Sequence, residues 1–248
     1  MKLKTLFTIK KKQSGRDNQG HVSIRHRGGE HKRFLREVDW QRQKVDIKAK
    51  VLSLEYDPNR TADLALVCYS DGAKNYILAT SNLKIGDVIV ASPTAPIKDG
   101  NRLPLKNIPV GVPINCLEFQ PGAGAKMVKS AGSAAYVQSI DGNKAIIKLP
   151  SGEIRIFPAD SWATIGQLGN QQHSTIKLVK AGDSRHRGIR PTVRGVAQNP
   201  HSHPHGGGEG RSSIGMNPKT PWGKPAMGKR TRKRKKASNR LIVQRRKK

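Results

Sequence analysis

The sequence predicts a mainly β protein built of small barrels, with long, basic and irregular N- and C-terminal ends. Short alternating strands separated by tight turns fill residues 45–180, and no periodic run is long enough for a helix of ten or more residues. Proline clusters at 93–96 and 104–113 interrupt this region. We therefore predict four parts: a basic N-terminal arm at 1–44, a first barrel at 45–108, a second barrel at 109–180 and a basic C-terminal extension at 181–248.

The first barrel is predicted from apolar segments joined by turns. KAKVLSLEY (48–56) alternates apolar and polar residues, and the turn DPNR (57–60) follows it. LALVCY (64–69) and AKNYILA (73–79) flank Ser70-Asp71-Gly72, which is the pattern of a β-hairpin. Gly86 then breaks the chain before a last strand-like segment, DVIVAS.

The second barrel is predicted from a three-stranded meander. Its strands are AAYVQSI (134–140), KAIIKLP (144–150) and EIRIFP (153–158), joined by tight turns. STIKLV (174–179) is expected to close the barrel. PGAGAK (121–126) lacks the GxxxxGK[ST] spacing of a phosphate loop and a suitable following helix, so we interpret it as a glycine-rich loop.

The distribution of charge separates the middle of the chain from its ends. The formal net charge is +30, of which residues 1–44 carry +9, residues 45–180 only +4 and residues 181–248 +17. A polyanion is the natural way to neutralise such ends, and nucleic acid is the commonest one. A membrane surface fits poorly, because the basic stretches are not amphipathic. Apolar residues make up 35%, enough for one or two small cores in the middle.

Cysteines and the N-terminus indicate the compartment. Cys68 and Cys116 lie far apart in strand-like runs, so we expect buried, reduced thiols and neither a disulfide nor a zinc site. The apolar run in MKLKTLFTIKKK is too short for a secretory signal, and no stretch is long enough to span a bilayer. We expect the protein to be used in the compartment where it is made.

The N-terminal arm contains RHRGGEHKR (25–33), in which Arg, His and Gly alternate. Arginines suit phosphate bidentately, glycines let the backbone approach a nucleic-acid strand, and imidazole can stack on a base or bond a 2′-hydroxyl. The alternative is a solvated charged loop. We favour RNA binding, because a similar composition recurs in RHRGIRPTVRG (185–195) at the other end of the chain.

A histidine-rich segment, NPHSHPHGGGEGR (199–211), allows three interpretations. An HxHxH run can bind a metal, but Pro204 constrains the backbone and no Cys or Asp ligand is near. A catalytic Ser202–His203 pair is weaker, because adjacent side chains of an extended chain point apart. We favour a rigid loop threaded against RNA, with Gly206, Gly207 and Gly208 where side chains have no room.

The last motif is TPWGKP (220–225), followed by the basic run GKRTRKRKK (228–236). The run alone is also typical of a nuclear-localisation signal or a DNA-binding tail. Two roles stay open for Trp222, which are stacking on a base and anchoring the tail to a barrel.

Together these segments resemble the universal large-subunit ribosomal protein two family, of bacterial or organellar type. The matching stretches run in family order over nearly the whole chain, and NPHSHPHGGGEGR with RPTVRG is the most specific pair. The resemblance implies an OB-like barrel, then an SH3-like barrel, with basic irregular extensions. The sequence departs from the family pattern at three places. The arm that usually precedes Gly15 is nearly absent, His186 stands where Trp is usual, and His201 is an additional histidine.

The resemblance implies a non-enzymatic, primary rRNA-binding protein of the large subunit. It implies roles in subunit association through an intersubunit bridge to the small subunit, in tRNA binding and in support of the peptidyl-transferase centre. Neighbouring ribosomal proteins are expected partners, tRNA an indirect one, and no membrane or homo-oligomer is expected. The location is the ribosome, in bacterial cytoplasm or a mitochondrial or plastid matrix. No cofactor is expected apart from Mg²⁺ associated with rRNA.

The predicted site has no metal ligand and no catalytic residue, and His203 has at most an indirect role near the peptidyl-transferase centre. The predicted RNA-binding residues are Arg16, Arg25, His26, Arg27, His31, Lys32, Arg33, Arg60, Arg185, Arg187, Arg190, Arg194, His203, His205, Gly206, Gly207, Gly208, Arg211, Trp222, Lys224, Lys229, Arg230, Arg232 and Lys233. Two other classes remain, a DNA-compacting protein and an enzyme that uses His201, His203 or His205. Competition between duplex DNA and rRNA separates the first from the ribosomal class.

Overall fold

The computed structural model describes residues 4–246, which fold into two compact units. The first, here the β unit, contains residues 4–10, 33–177 and 240–246. The second, the extension unit, contains residues 11–32 and 178–239. Half of the predicted arm and most of the predicted extension thus belong to one compact unit, although they are far apart in the sequence.

The first sheet of the β unit has four antiparallel strands. They are β3 (Ala49–Glu55), β4 (Leu64–Tyr69), β5 (Lys74–Leu78) and β6 (Val88–Ile89), in the order β5-β4-β3-β6. Ahead of them, β1 (Phe7–Ile9) pairs with β2 (Phe34–Arg36). The predicted strands and hairpin of this region are confirmed, except that DVIVAS forms only the two-residue β6.

The second sheet has seven strands in the order β15-β13-β12-β11-β8-β14-β7. In chain order these are β7 (Arg102–Pro104), β8 (Pro113–Asn115), β11 (Ala135–Asp141), β12 (Lys144–Lys148), β13 (Ile154–Pro158), β14 (Trp162–Ile165) and β15 (Ile242–Gln244). A separate ribbon pairs β9 (Leu117–Glu118) with β10 (Ala125–Met127). The predicted meander is confirmed as β11, β12 and β13.

Three strand assignments differ from the prediction. Residues 174–179 form no strand, since 171–175 make a 3-10 turn and 176–179 are irregular and exposed. β7 pairs with β14 of the second sheet, although it precedes the predicted boundary near residue 109. β15 lies within the extension predicted to be irregular, and it pairs with β13 because the only apolar run of that segment can extend this sheet edge.

Helical structure is short throughout residues 4–246. One α-helix, α1 (Ala181–His186), lies in the extension unit. The 3-10 turns are Lys4–Leu6, Leu105–Asn107, Gln171–Thr175, Gly195–Ala197 and Ala237–Leu241. None of the helices in this part of the chain has the length and apolar character needed to cross a bilayer.

The apolar cores all lie in the β unit. The largest packs alternate residues of the second sheet, among them Ile114, Ile147 and Phe157, which are at most 1% exposed. A second core lies on one face of the first sheet, and a third contains Leu64, Leu78 and Tyr76. Burial in these cores explains why such short strands are stable, because a strand of this length needs one buried apolar face.

A buried ion pair ties three segments of the second sheet region together. The Arg102 guanidinium donates to the Glu118 carboxylate at 2.7 Å, and both side chains are 2% exposed. The other carboxylate oxygen accepts the backbone N–H groups of Gly122 (3.1 Å) and Trp162 (3.2 Å). Removing the Glu118 carboxylate would therefore leave the Arg102 charge buried without its partner and two backbone N–H groups without their acceptor.

The two cysteines are both free thiols, as predicted. Cys116 is buried, and this burial raises the pKa of its thiol to about 11. Cys68 is only half-buried, so the expectation of full burial is wrong for this residue.

Candidate nucleic-acid interface

The two Arg-His-Arg-Gly motifs, at 25–28 and 185–188, lie side by side in the extension unit. Arg27 forms an antiparallel bridge with Ile189, and the Gly28 N–H donates to the Gly188 carbonyl at 3.0 Å. Two further bonds extend the pairing, from Arg190 N–H to the His26 carbonyl (3.1 Å) and from His31 N–H to the His186 carbonyl (2.9 Å). We call this paired element the RHRG ladder, residues 26–31 with 186–190.

The end of helix α1 places the second strand of the ladder. Gly188 has φ +87°, and its N–H donates to the Arg185 carbonyl at 2.9 Å. The next N–H, of Ile189, donates to the Ser184 carbonyl at 3.0 Å. These two bonds form a Schellman motif, which needs a residue in the left-handed region and therefore favours glycine. A side chain at Gly188 would also approach the Glu30 Cβ to 2.9 Å.

The first strand of the ladder follows a loop that is closed by its own hydrogen bonds. The Gly15 carbonyl accepts from the Ser23 and Ile24 N–H groups, both at 2.9 Å. The Asp17 carboxylate accepts from the Gln19 and His21 N–H groups, at 3.0 and 2.8 Å. A Cβ at Gly15 would collide with the Ile24 carbonyl oxygen. The N-terminal arm therefore has a defined path without an apolar core.

The side chains around the ladder form a strongly positive surface. The extension unit carries 21 Lys and Arg residues against four Asp and Glu. The predicted RNA-binding residues that lie exposed in this unit are Arg16, Arg25, His26, Arg27, His31, Lys32, Arg187, Arg190, Arg194, Arg211, Trp222, Lys224, Lys229, Arg230, Arg232 and Lys233, and Arg185 is half-buried. The arginines of the two RHRG motifs are exposed apart from the half-buried Arg185, so their charge is accessible to a polyanion.

Two histidines of the histidine-rich segment turn inward. His203 and His205 are 8% and 9% exposed. Their rings stack, with centroids 5.0 Å apart and an angle of 29° between the ring planes. The His205 N–H donates to His203 Nδ1 at 3.0 Å. The Lys219 N–H donates to His205 Nε2 at 2.7 Å. Each ring thus uses one nitrogen as an acceptor, which places the proton of neutral His203 on Nε2 and that of neutral His205 on Nδ1.

The glycines near these histidines are explained by packing within the protein. A Cβ at Gly195 would lie 2.5 to 2.7 Å from His203 ring atoms. A Cβ at Gly206 would collide with backbone carbonyls at 198 and 199, and one at Gly207 would lie 2.8 Å from Pro200 Cγ. We predicted from the sequence that RNA leaves no room for side chains here, and the structure supplies a reason inside the loop itself.

Trp222 lies at the tip of a small hairpin, Lys219–Pro225, that we call the Trp222 turn. The Thr220 N–H donates to the Lys224 carbonyl (2.8 Å) and the Gly223 N–H returns to the Thr220 carbonyl (2.9 Å). Trp222 is 75% exposed, and the Arg25 guanidinium carbon lies 5.2 Å from its ring centroid. Within the described residues, this ring therefore packs against the arm and remains largely open.

Two predicted RNA-binding residues, Arg33 and Arg60, lie in the β unit and bond within it. Arg33 donates to the Pro58 carbonyl at 2.7 Å. Arg60 pairs with the fully buried Asp57 at 2.6 Å, and its guanidinium carbon lies 5.4 Å from the Trp40 ring centroid. Sequence reasoning missed this cage around Trp40, which Lys129 completes with its ammonium 4.5 Å from the ring.

Sequence reasoning also missed the ladder itself, although the repeated tetrapeptide RHRG was a usable signal. We predicted a basic arm and a basic extension of similar composition and did not predict that they pair. No group of three or more His, Cys, Asp or Glu side chains in residues 4–246 is arranged to hold a metal ion.

The match to known protein families decides the identity of the fold. Residues 3–91 match the family described as Ribosomal Proteins L2, RNA binding N-terminal domain. Residues 98–223 match Ribosomal Proteins L2, C-terminal domain. The chain belongs to the ribosomal protein L2 family. The resemblance seen in the sequence is confirmed, as is the mainly β fold with an OB-like part followed by an SH3-like part.

Membership in the L2 family gives the general function. The protein is a ribosomal protein of the large subunit, binds rRNA and acts in translation on the ribosome. The family is one of structural ribosomal proteins and not of enzymes. The match to the RNA-binding domain covers the first strand of the RHRG ladder, and the match to the C-terminal domain covers the second strand, the histidine pair and most of the Trp222 turn.

Proposed function

We propose that the protein is a primary rRNA-binding scaffold that catalyses no reaction itself. In this role it supports subunit association through a bridge to the small subunit, tRNA binding and the peptidyl-transferase centre. Neighbouring ribosomal proteins are further partners, and tRNA is an indirect one. The RHRG ladder carries the proposal, because it joins arginines of the N-terminal arm and of the C-terminal extension into one positive and largely exposed surface.

The mechanism is electrostatic and geometric. Arginines on the ladder neutralise phosphates and release counterions, which supplies affinity for any polyanion. The ladder bonds, Gly28 and Gly188 hold these arginines at set positions, so that folded RNA of matching shape is preferred over a uniform duplex. His203 contributes by holding the shape of its loop, since its Nδ1 is occupied by a backbone N–H. Mg²⁺ enters only as an ion associated with the rRNA.

The salt dependence of rRNA binding tests the proposal. In the full chain, replacing Arg27 and Arg187 by Ala should lower the slope of log K against log[salt] by about 0.7 to 0.9 for each phosphate that these arginines neutralise. Filter binding or fluorescence anisotropy with transcribed large-subunit rRNA, at about 50 to 300 mM salt, measures the slope. Lys106→Ala is the matched control, because this exposed lysine already pairs with Asp160 at 2.9 Å.

An unchanged slope in the Arg27→Ala, Arg187→Ala protein would contradict the role of the ladder. Competition with duplex DNA at fixed salt addresses the DNA-compacting alternative. A scaffold for folded rRNA should be displaced by rRNA at much lower concentration than by DNA of equal phosphate content, and equal displacement would favour a DNA-compacting protein.

A further inference from the structure

The extension unit has a core made of two histidines. Among residues 11–32 and 178–239, the buried positions are Gly28, Gly188, His203 and His205, and no apolar side chain is among them. Only His203 and His205 therefore bury a side chain in this unit. Together with the backbone bonds of the RHRG ladder, the hydrogen bonds of these two rings therefore help to set where the loops of this unit lie.

The two rings make different contacts. His203 bonds inside its own loop, where its Nδ1 accepts from the His205 N–H and its carbonyl accepts from the Gly206 N–H at 2.9 Å. His205 reaches out of the loop, because its Nε2 accepts from the Lys219 N–H at 2.7 Å. Lys219 is the first residue of the Trp222 turn and forms the bridge with Pro225 that closes it. The bond thus joins the histidine loop to the base of the hairpin that carries Trp222.

Trp222 is placed by this hairpin, and Arg25 comes from the N-terminal arm to lie 5.2 Å from its ring centroid. A 75% exposed indole beside one guanidinium is open to a planar partner. Nucleobases stack on such rings, and unpaired bases are the ones accessible to them.

We propose that His205 is a positioning residue for RNA, acting through the Lys219 N–H to hold Trp222 and Arg25 as a stacking platform for an unpaired base of rRNA. The inference rests on the proposed function, rRNA binding, and adds the class of nucleotide and the residue that sets the platform. The His205 ring makes two contacts: it stacks on His203, and its Nε2 accepts from the Lys219 N–H. Only the second contact is required to position Trp222. His205→Gln keeps an acceptor near the Nε2 position, whereas His205→Phe keeps a ring and removes the acceptor.

A double-mutant cycle in the full chain, with transcribed large-subunit rRNA as the probe, tests this mechanism. Trp222→Ala should weaken binding by about 5- to 140-fold, the range that removal of one base–aromatic stack gives. His205→Phe should weaken binding similarly in the parent chain but by less than about twofold when Trp222 is already Ala, since the two act on one contact. His205→Gln should bind within about threefold of the parent chain. His201→Ala, an exposed neighbour in the same loop, is the matched control and should bind like the parent.

A spectroscopic readout separates positioning from a general loss of structure. The protein is labelled with 5-fluorotryptophan and observed by 19F NMR, and the resonance of Trp222 is assigned as the one missing in Trp222→Phe. Adding rRNA should shift this resonance in the parent chain and in His205→Gln. It should not shift it in His205→Phe. The resonances of Trp40 and Trp162 in the β unit report that this unit stays folded in every variant.

Additive effects of His205→Phe and Trp222→Ala would overturn the proposal, as would His205→Phe binding like the parent chain. Failure of His205→Gln to rescue would also overturn it, because the acceptor would then not be the required feature. If the parent chain bound no rRNA, both the proposed function and the positioning role would be contradicted. If the parent chain bound rRNA and the effects of the two substitutions on binding were additive, only the positioning role would be contradicted.

Discussion

The β unit and the extension unit are stabilised by different kinds of contact. The β unit buries three apolar clusters and a paired charge, Arg102 with Glu118. The extension unit buries two glycines and two histidines and carries 21 basic residues against four acidic ones. Apolar burial drives folding without a partner, whereas a hydrogen-bonded, highly charged segment must offset its chain entropy and self-repulsion with a ligand. We therefore expect one chain to combine a part that folds by itself with a part whose order depends on RNA.

Hydrogen exchange should show the largest difference between the two units. In RNA-free protein, amides of β4 should be protected by more than about 10³-fold, because their opening requires unfolding of the β unit. Amides of the RHRG ladder should exchange within about tenfold of the unfolded rate, and adding large-subunit rRNA should slow them. Mass spectrometry of labelled peptides measures both. A ladder protected without RNA would show that the extension unit folds by itself and would remove the contrast.

Removing the buried carboxylate of the β unit should have the next largest effect. Glu118→Ala leaves the Arg102 charge unpaired and two backbone N–H groups without acceptors, and should lower the free energy of unfolding by about 3 to 5 kcal/mol. Urea unfolding of the RNA-free protein measures the change. Lys106→Ala, which breaks an exposed ion pair, should cost less than about 1 kcal/mol. Equal losses in both variants would contradict the importance of burial.

Alkaline titration should give a smaller effect that is confined to the β unit. Burial, and then the hydrogen bond of its hydroxyl to Glu55 at 3.0 Å, raises the pKa of Tyr76 to about 12 from an ordinary value of 10.0. A raised pKa in the folded state means that the contribution of Tyr76 to stability is complete below pH 10 and is lost as the pH rises through 12.

The stability difference between the parent chain and Tyr76→Phe should therefore shrink between pH 10 and pH 12. Absorbance in the near ultraviolet, where tyrosinate absorbs and tyrosine does not, should show a late-titrating tyrosine that is missing in the variant. A constant difference across this range would mean that Tyr76 ionises alike in the folded and unfolded states.

Local pattern predicted the strands of the β unit well and its edges poorly. The hairpin β4–β5 and the meander β11–β12–β13 follow from period-two alternation and from Asp-Gly and Ser-Gly turns, which act over a few residues. The assignment of β7 and β15 to the second sheet does not follow from local pattern. Both pair with strands far away in the chain, and the buried partner face that stabilises them is visible only in the folded protein.

For the candidate site, too, the sequence predicted one aspect and not the other. Its residue types were predictable, since repeated Arg, His and Gly in segments with few apolar residues and no apolar periodicity indicate RNA binding. Their grouping was not, because the pairing of residue 28 with residue 188 is a backbone interaction that side-chain composition does not encode. The inward turn of His203 and His205 also went unpredicted, since histidine is compatible with both burial and exposure.

The sequence by itself determined the composition of the two kinds of region. One has the apolar alternation that allows strands, and the other has dense positive charge without apolar periodicity, which calls for a polyanion. The tertiary structure alone decided that residues 26–31 of the arm and residues 186–190 of the extension meet in one ladder, and that a histidine carries the contact to the Trp222 turn. The physical reason is range. Alternation and turn chemistry act between neighbours in sequence, whereas backbone pairing and buried acceptors depend on which distant segments the folded chain brings within about 3 Å.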